Sequence, residues 1–289
     1  MYRQLDPDFH LEAFGSGDAA VEWTVLIPFF NEEGYIGATI KSLARQTVRF
    51  RLVLIDNGST DQSAAIAVAT ARALGLDHVL VTEPRPGKVA ALQAALGWVR
   101  TSWVATCDAD TIYPASYLEA AAALLRQPGC VIAGAYFVLP SADGRERQAE
   151  ADAIIRRGRW LPRLCHAGGA GQAFCTRTLR ERGGFDATRW NLVLEDHEVA
   201  HRMMRGGGML YARDLWCTPS PRKRDRASIR WTLAERILYA LVAPAAGDWF
   251  FYRFLAGRLR RRDLSSDRIR ERAFQMNQGA RLAPPHPVR

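Results

Sequence analysis

The sequence predicts an α/β fold built on a mainly parallel sheet, and three observations carry that prediction. Short apolar runs alternate with segments of helical spacing through the first half of the chain, as successive βαβ units do. The alternation repeats at intervals of roughly 25 to 30 residues, the length of such a unit. Polar, acid-bearing loops follow the apolar runs, at the strand ends where open α/β sheets bind ligands.

The elements follow in order. Residues 24–29 (Thr-Val-Leu-Ile-Pro-Phe) read as a strand buried on both faces. Residues 35–46 carry Ile36, Ile40, Leu43 and Ala44 at helical spacing. Asn31 stands before them as an expected N-cap, with Glu32 and Glu33 in the first turn. The second strand, 51–55, ends at Asp56-Asn57-Gly58. A helix is expected from Ser59, which forms a capping box with Gln62 and has Asp61 in its first turn. Residues 78–82 form a third strand, 83–87 a loop, 88–99 a helix and 103–107 a fourth strand.

The second half is less regular. It offers a long strand over 130–139, a polar turn over 141–147, loop over 159–171 and a glycine-rich apolar segment over 168–177. A short helix over 195–205, a strand over 209–216 and a basic loop over 218–226 follow. Residues 232–254 are apolar and helical, interrupted by Pro244 and Gly247. The proline-rich stretch 283–287 predicts a disordered end.

Composition narrows the class. The 289 residues allow one large domain, and 48% hydrophobic with 24% charged residues is ordinary for a globular protein. The first 18 residues lack a basic start followed by an apolar core, so no secretory signal is expected. No run approaches the roughly 20 apolar residues of a spanning helix. The five cysteines are scattered without a C-x-x-C pair, which argues against a disulfide framework or zinc site and for a cytoplasmic protein. Net charge is +9, and from Arg253 to Arg289 ten arginines stand against Asp263, Asp267 and Glu271. Such a tail attracts polyanions or anionic lipid, though a solvated cationic helix explains it equally well.

Three acidic groups can carry chemistry. Asp108-Ala109-Asp110 follows a strand; carboxylates at i and i+2 of an extended chain share a side, and two hard oxygens suit Mg²⁺ or Mn²⁺. Asp56 and Asn57 end another strand and could bond a base or ribose. Glu195-Asp196 opens a helix, where a carboxylate can take a proton from a hydroxyl. Each also has a purely structural explanation as a cap or turn; their order along one chain is more telling.

That order, Val25 through Glu32, Asp56 through Asp61, Gly87-Lys88, Asp108-Ala109-Asp110 and Glu195-Asp196, resembles family 2 glycosyltransferases over roughly residues 22–220. The resemblance implies a GT-A fold: a Rossmann-like nucleotide-sugar-binding half (22–112) fused to an acceptor half (113–220). An N-terminal extension (1–21) would precede them and a basic helical region (221–289) follow. It implies that Pro28, Phe29, Asn31 and Glu32 line the nucleotide pocket and that Asp56 and Asn57 contact base or ribose. Arg85, Gly87 and Lys88 would lie over base and phosphates. Asp108 and Asp110 would hold ribose and metal, Asp110 being the direct ligand. Asp196 would be the catalytic base, with Glu195 orienting it or binding the acceptor. The implied reaction moves a sugar with inversion from a nucleotide-diphosphate sugar to an acceptor hydroxyl, assisted by Mg²⁺ or Mn²⁺.

Gly168, Gly169 and Gly171 would allow close approach of the sugar. Many members carry Asp where this chain has Asn57. Processive members carry Q-x-x-R-W, whereas Arg230-Trp231 here follows Ala227, favouring single addition. His197 and His201 are available as further metal ligands, though a structural role suits each better. The rivals are a nucleotidyltransferase of similar fold and a catalytically silent basic binding module; no nucleic-acid partner is expected. Trp249, Phe250, Phe251 and Tyr252 beside 258–262 could seat the protein on an anionic membrane, with core packing as the alternative.

Overall fold

The computed structural model describes residues 21–220 and 231–268. Nearly all of the expected N-terminal extension, part of the 218–226 loop and the tail past 268 lie outside the described residues. Eight strands form a single mixed sheet in the order β3-β2-β1-β4-β7-β6-β8-β5. β1 (Trp23–Phe29) pairs in parallel with β2 (Phe50–Asp56) and β4 (Trp103–Thr106), and β2 in parallel with β3 (His78–Thr82). β7 (Gln172–Cys175) runs antiparallel to β4 and to β6 (Cys130–Phe137). β6 pairs in parallel with β8 (Gly208–Pro219), whose end meets the two-residue β5 (Thr111–Ile112).

Period-2 alternation explains the two cores. Val25, Ile27, Leu52 and Leu54 join one buried cluster with α1 (Ile36–Leu43), α2 (Ser63–Ala73) and α4 (Tyr117–Leu125). Their neighbours Leu26, Val53 and Ile55 join the other, with α3 (Lys88–Leu96) and α7 (Glu195–Met203). Both sheet faces are covered, as the continuous apolar strands require. α5 (Gly144–Trp160) packs on β8 and the end of β6, and α6 (Thr176–Glu181) follows β7.

The C-terminal part builds a third cluster. α8 (Leu233–Asp248) contains Pro244 and breaks at Ala246, then a π-helical turn (Trp249–Leu255) leads into α9 (Ala256–Arg261). Phe250, Phe251 and Leu255 are fully buried against Leu164, Trp190 and Leu192. Of the aromatics expected at a membrane seat over 249–252, two are thus committed to the core, while Trp249 stays 47% exposed. Phe250 and Phe251 are core, the Tyr252 hydroxyl donates to Glu198, and Arg258 and Arg262 bond the buried Glu235 carboxylate. Burial outweighs surface display here because each aromatic ring removed from water is worth about 1.5–3 kcal/mol.

Two expected caps are also corrected. α1 begins at Ile36 with no side-chain cap, because Asn31 adopts a left-handed conformation (φ 54°) and bonds the neighbouring loop instead. α2 begins at Ser63, not Ser59, and it is Asp61 that accepts from the Ser63 amide. All five cysteines are free, and four of them are buried. Among the described residues no helix is long and apolar enough to cross a membrane.

Candidate active site

The loops that follow β1, β2, β3 and β4 meet at one end of the sheet, and the first two are stitched together. The Asn31 carboxamide accepts from the Thr60 amide at 2.8 Å, and its own amide donates to Ser59 Oγ at 3.2 Å. The Glu32 amide donates to Ser63 Oγ at 2.6 Å, and the Glu33 amide to Asp61 at 3.2 Å. Asp56 Oδ1 accepts from the Ser59 amide at 2.8 Å. Pro28 lies opposite Ile55 in the β1–β2 register. Phe29 is 3% exposed, with its ring in the main core, and its carbonyl accepts from the Asn57 amide.

Asn57 is buried and organises the loop 83–88. Its Nδ2 donates to the carbonyls of Glu83 (2.9 Å) and Arg85 (2.7 Å), and its Oδ1 accepts from the Gly87 amide (2.8 Å). Here the chain uses a carboxamide because one side chain must both donate and accept, which a carboxylate cannot do. Arg85 folds back on the Glu83 carboxylate with two contacts of 2.9 Å. Gly87 has φ 115°, and a Cβ there would meet Ser266 Oγ at 2.9 Å, so glycine is required. We expect Asn57→Ala to cost about 1–3 kcal/mol by removing the partners of two buried backbone groups and of the part-buried Arg85 carbonyl. Chemical denaturation tests this, and an unchanged midpoint would mean that other contacts hold the loop.

The loop delivers Lys88 to the centre of the site. Its Nζ lies 2.7 Å from Asp108 Oδ1 and 3.3 Å from Glu195 Oε1. Burial works to lower the lysine's pKa, but Asp108, Glu195 and Asp196 outweigh it and raise it above the ordinary value. The lysine is thus a fixed cation. Burial raises Glu195, with Lys88 opposing that rise. Asp196 experiences the same upward pull from burial, but His197 and Lys88 hold its carboxyl below the usual carboxylate value. An ionised Asp196 can only accept, so His197 Nδ1 donates to its Oδ1, at 2.9 Å. The His197 ring packs against Trp231 and Tyr239. His201 bonds Asp248 and stacks on Phe251.

The acidic pair after β4 differs from expectation in local geometry. The chain leaves the extended conformation at Thr106 and turns at Ala109-Asp110, so the pair does not sit on one extended face. The turn is imposed by β5, which must start at Thr111 to meet β8. Asp108 stays half-exposed beside Lys88, while Asp110 is 6% exposed and its carbonyl accepts from the Ser220 amide at 2.7 Å. The Asp108 amide donates to the Tyr113 hydroxyl, which donates onward to the Ala170 carbonyl, both at 2.9 Å.

Glycines admit the two sides of the site to one another. A Cβ on Gly169 would lie 3.2 Å from Lys88 Nζ and 3.4 Å from Asp196 Cβ, and one on Gly168 would strike the Phe137 ring. Sequence reasoning missed three positioning groups: Tyr113, Gln172, whose Nε2 lies 3.4 Å from the Asp196 carbonyl, and the strap 264–267. The strap pairs with 191–193 through Val193 to Leu264 and Ser266 to Asn191 backbone bonds, and packs on Gly87. It therefore braces both the Lys88 loop and the start of α7. These contacts lack a local sequence signal, since apart from Tyr113 with Asp108 each spans tens of residues.

A mixed sheet with a parallel nucleotide-type half, and acidic groups converging at its strand ends, is the GT-A glycosyltransferase architecture. The chain belongs to glycosyl transferase family 2, whose model matches residues 24–182. It is 33% identical over 96 residues to dodecaprenyl-phosphate galacturonate synthase of Rhizobium johnstonii, a stretch of 32% of this chain and 28% of that protein. It is 32% identical over 109 residues to a PGL/p-HBAD biosynthesis glycosyltransferase of Mycobacterium tuberculosis, covering 37% of this chain and 43% of that one. The matches thus span less than half the length of these curated relatives. Among solved structures, the mannosyltransferase PcManGT of Pyrobaculum calidifontis, in complex with GDP-Man and Mn²⁺, superposes with a TM-score of 0.64 at 21% identity. That match covers 88% of this chain and 76% of the other. S. aureus TarS 1–349 with UDP-GlcNAc gives 0.55 at 19% identity, covering 81% and 71%.

Proposed function

We propose that the protein is an inverting, single-addition glycosyltransferase that moves a sugar from a nucleotide-diphosphate sugar to an acceptor hydroxyl. The observation that carries this reading is the convergence of Asp108, Lys88, Glu195 and Asp196 beside the loops of β1 and β2. The same fold holds GDP-Man or UDP-GlcNAc in the two structural neighbours, a fold-level analogy for the donor class.

The donor set favours Mg²⁺ or Mn²⁺. Among the described residues no group of three or more His, Cys, Asp or Glu side chains is placed to hold a metal ion, so Asp110 and Asp108 would hold one only together with oxygens of the bound donor. That sharing is what these hard ions accept. Bound there, the ion would neutralise the charge that grows on the leaving nucleoside diphosphate.

The chain's own groups do the rest. Lys88 supplies a permanent cation beside the acidic turn, complementary to phosphate oxygens. Asp196 removes the proton from the acceptor hydroxyl as its oxygen attacks the anomeric carbon opposite the leaving diphosphate. Glu195, held by Lys88, keeps the base and the cation at fixed separation.

Hydrolysis of UDP-, GDP-, dTDP- and CMP-sugars without acceptor, with Mg²⁺, Mn²⁺ or EDTA, tests the reading. One donor should turn over with metal, and Asp110→Ala should reduce that turnover on the order of a hundredfold. No turnover and no metal-dependent nucleotide binding would instead favour a silent binding module.

A further inference from the structure

The apolar surface of the C-terminal part is on the outer face of α8. Leu233, Ile237 and Leu241 are 75%, 51% and 74% exposed. Their i, i+4, i+8 spacing sets them in one line, and Trp249, 47% exposed, lies beyond the break at Ala246. The inner side of the same helix is committed to the fold through the buried Glu235 and Ala243 and through Tyr239, whose hydroxyl accepts from the Cys165 amide. A second exposed pair, Trp160 (83%) and Leu161 (38%), ends α5. The segment 161–165 joins the two places, since Arg163 donates to the Pro244 carbonyl at 3.3 Å.

The exposed charges on these segments are predominantly basic, Asp248 being the one exposed acid among them. Arg156, Arg157, Arg159, Arg163, Arg236 and Arg253 are exposed. Within 156–165 and 233–254 the acids are Glu235, which is buried, and Asp248, which is held by His201 and Arg205. A second copy of the chain is a poor cover, because a two-fold contact sets the same patch against itself and would bring arginine against arginine. An anionic bilayer suits both features. Leucine and tryptophan enter the boundary between headgroups and acyl chains, and the arginines meet lipid phosphates.

We propose that the outer face of α8, with the end of α5, docks the protein on an anionic membrane surface. Tyr239 on the inner side of α8 packs on His197 at 5.8 Å between ring centroids, and His197 bonds Asp196. The docked face thus lies more than one helix diameter, ~10 Å, from Asp196, with the His197 ring between them. On the glycosyltransferase reading, the acceptor hydroxyl belongs to a molecule anchored in that membrane.

The test is flotation of the full chain with phosphatidylcholine vesicles, with and without phosphatidylglycerol, at low and high salt. The expected result is binding to the anionic vesicles, weakened by salt and reduced about tenfold or more in Leu233→Ser/Ile237→Ser/Leu241→Ser. That variant should keep wild-type donor hydrolysis, because its three side chains are exposed and outside the site. Absence of flotation, or equal flotation of the triple variant, overturns the proposal. So does sedimentation showing a dimer that the triple variant loses. Donor hydrolysis without flotation defeats this inference alone, whereas flotation without hydrolysis upholds the docking and defeats the enzymatic reading.

Discussion

Asp196→Asn should lower the rate of sugar transfer by about 10²- to 10⁴-fold, the usual contribution of a positioned general base, while donor binding stays near the wild-type value. The replacement keeps shape and volume. The amide oxygen can still accept from His197, so the start of α7 need not move. What is lost is the capacity to take a proton, and only the acceptor step needs it. His197 and Lys88 hold Asp196 below the ordinary carboxylate value against the pull of burial, so the wild-type carboxyl is already ionised at neutral pH. Steady-state kinetics with donor and acceptor varied separately checks this. A fall in kcat with an unchanged donor KM fits the role; a rise in donor KM with kcat retained would make Asp196 a donor-binding group. Glu195→Gln provides the contrast, because it weakens the hold on Lys88 and should change donor KM as well as kcat.

How much of this was legible in the sequence follows from the range of the interactions. β1, β2 and β4 are legible because their central residues are buried on both faces, so each carries a nearly continuous apolar run, whereas the half-buried edge strand β3 is legible from Val79-Leu80-Val81. The acidic turns were readable because they sit at the ends of those runs. α5 has little local signal beyond the polar turn expected over 141–147, because its 17 residues bury only Ala151 and Ile154, leaving almost no apolar periodicity. Its start was nevertheless written locally, as a capping box of Asp143 with Glu146. Asn31 and Ser59 were read as caps because cap residues and loop-to-loop stitching use the same side-chain chemistry; only the three-dimensional approach of the two loops decides between them. Asn57 looked like a ligand contact and also fastens the 83–88 loop, again through partners some thirty residues distant. The C-terminal aromatic run was ambiguous for a different reason. Amphipathic membrane helices and core helices share composition, and the rings of 250 and 251 turn inward while Leu233 and Leu241 of α8 face out.

Arg202→Met should destabilise the fold by about 3–5 kcal/mol, the cost of breaking a buried ion pair from one side. Arg202 and Glu198 have side chains 4% and 1% exposed and meet through Nε to Oε1 at 2.7 Å and Nη2 to Oε2 at 2.9 Å. The guanidinium also donates to the carbonyls of Arg182 and Gly184, and Glu198 accepts from the Tyr252 hydroxyl. Methionine would leave a carboxylate in the core with one hydroxyl partner and two carbonyls with none. Chemical denaturation should show a lower midpoint with an unchanged slope. Glu198→Leu combined with Arg202→Met should recover much of the loss, because the larger part of it is the stranded charge and not the absent attraction. A double variant as unstable as the single would instead make the carbonyl bonds the dominant contribution. The consequence reaches the site through α7, which carries Glu195, Asp196 and Glu198 in its first turn and Arg202 in its last. The pair fastens that helix to the 182–184 turn and to the π-helical segment at once, so its neutral replacement should preserve the fold better than it preserves the placement of the base.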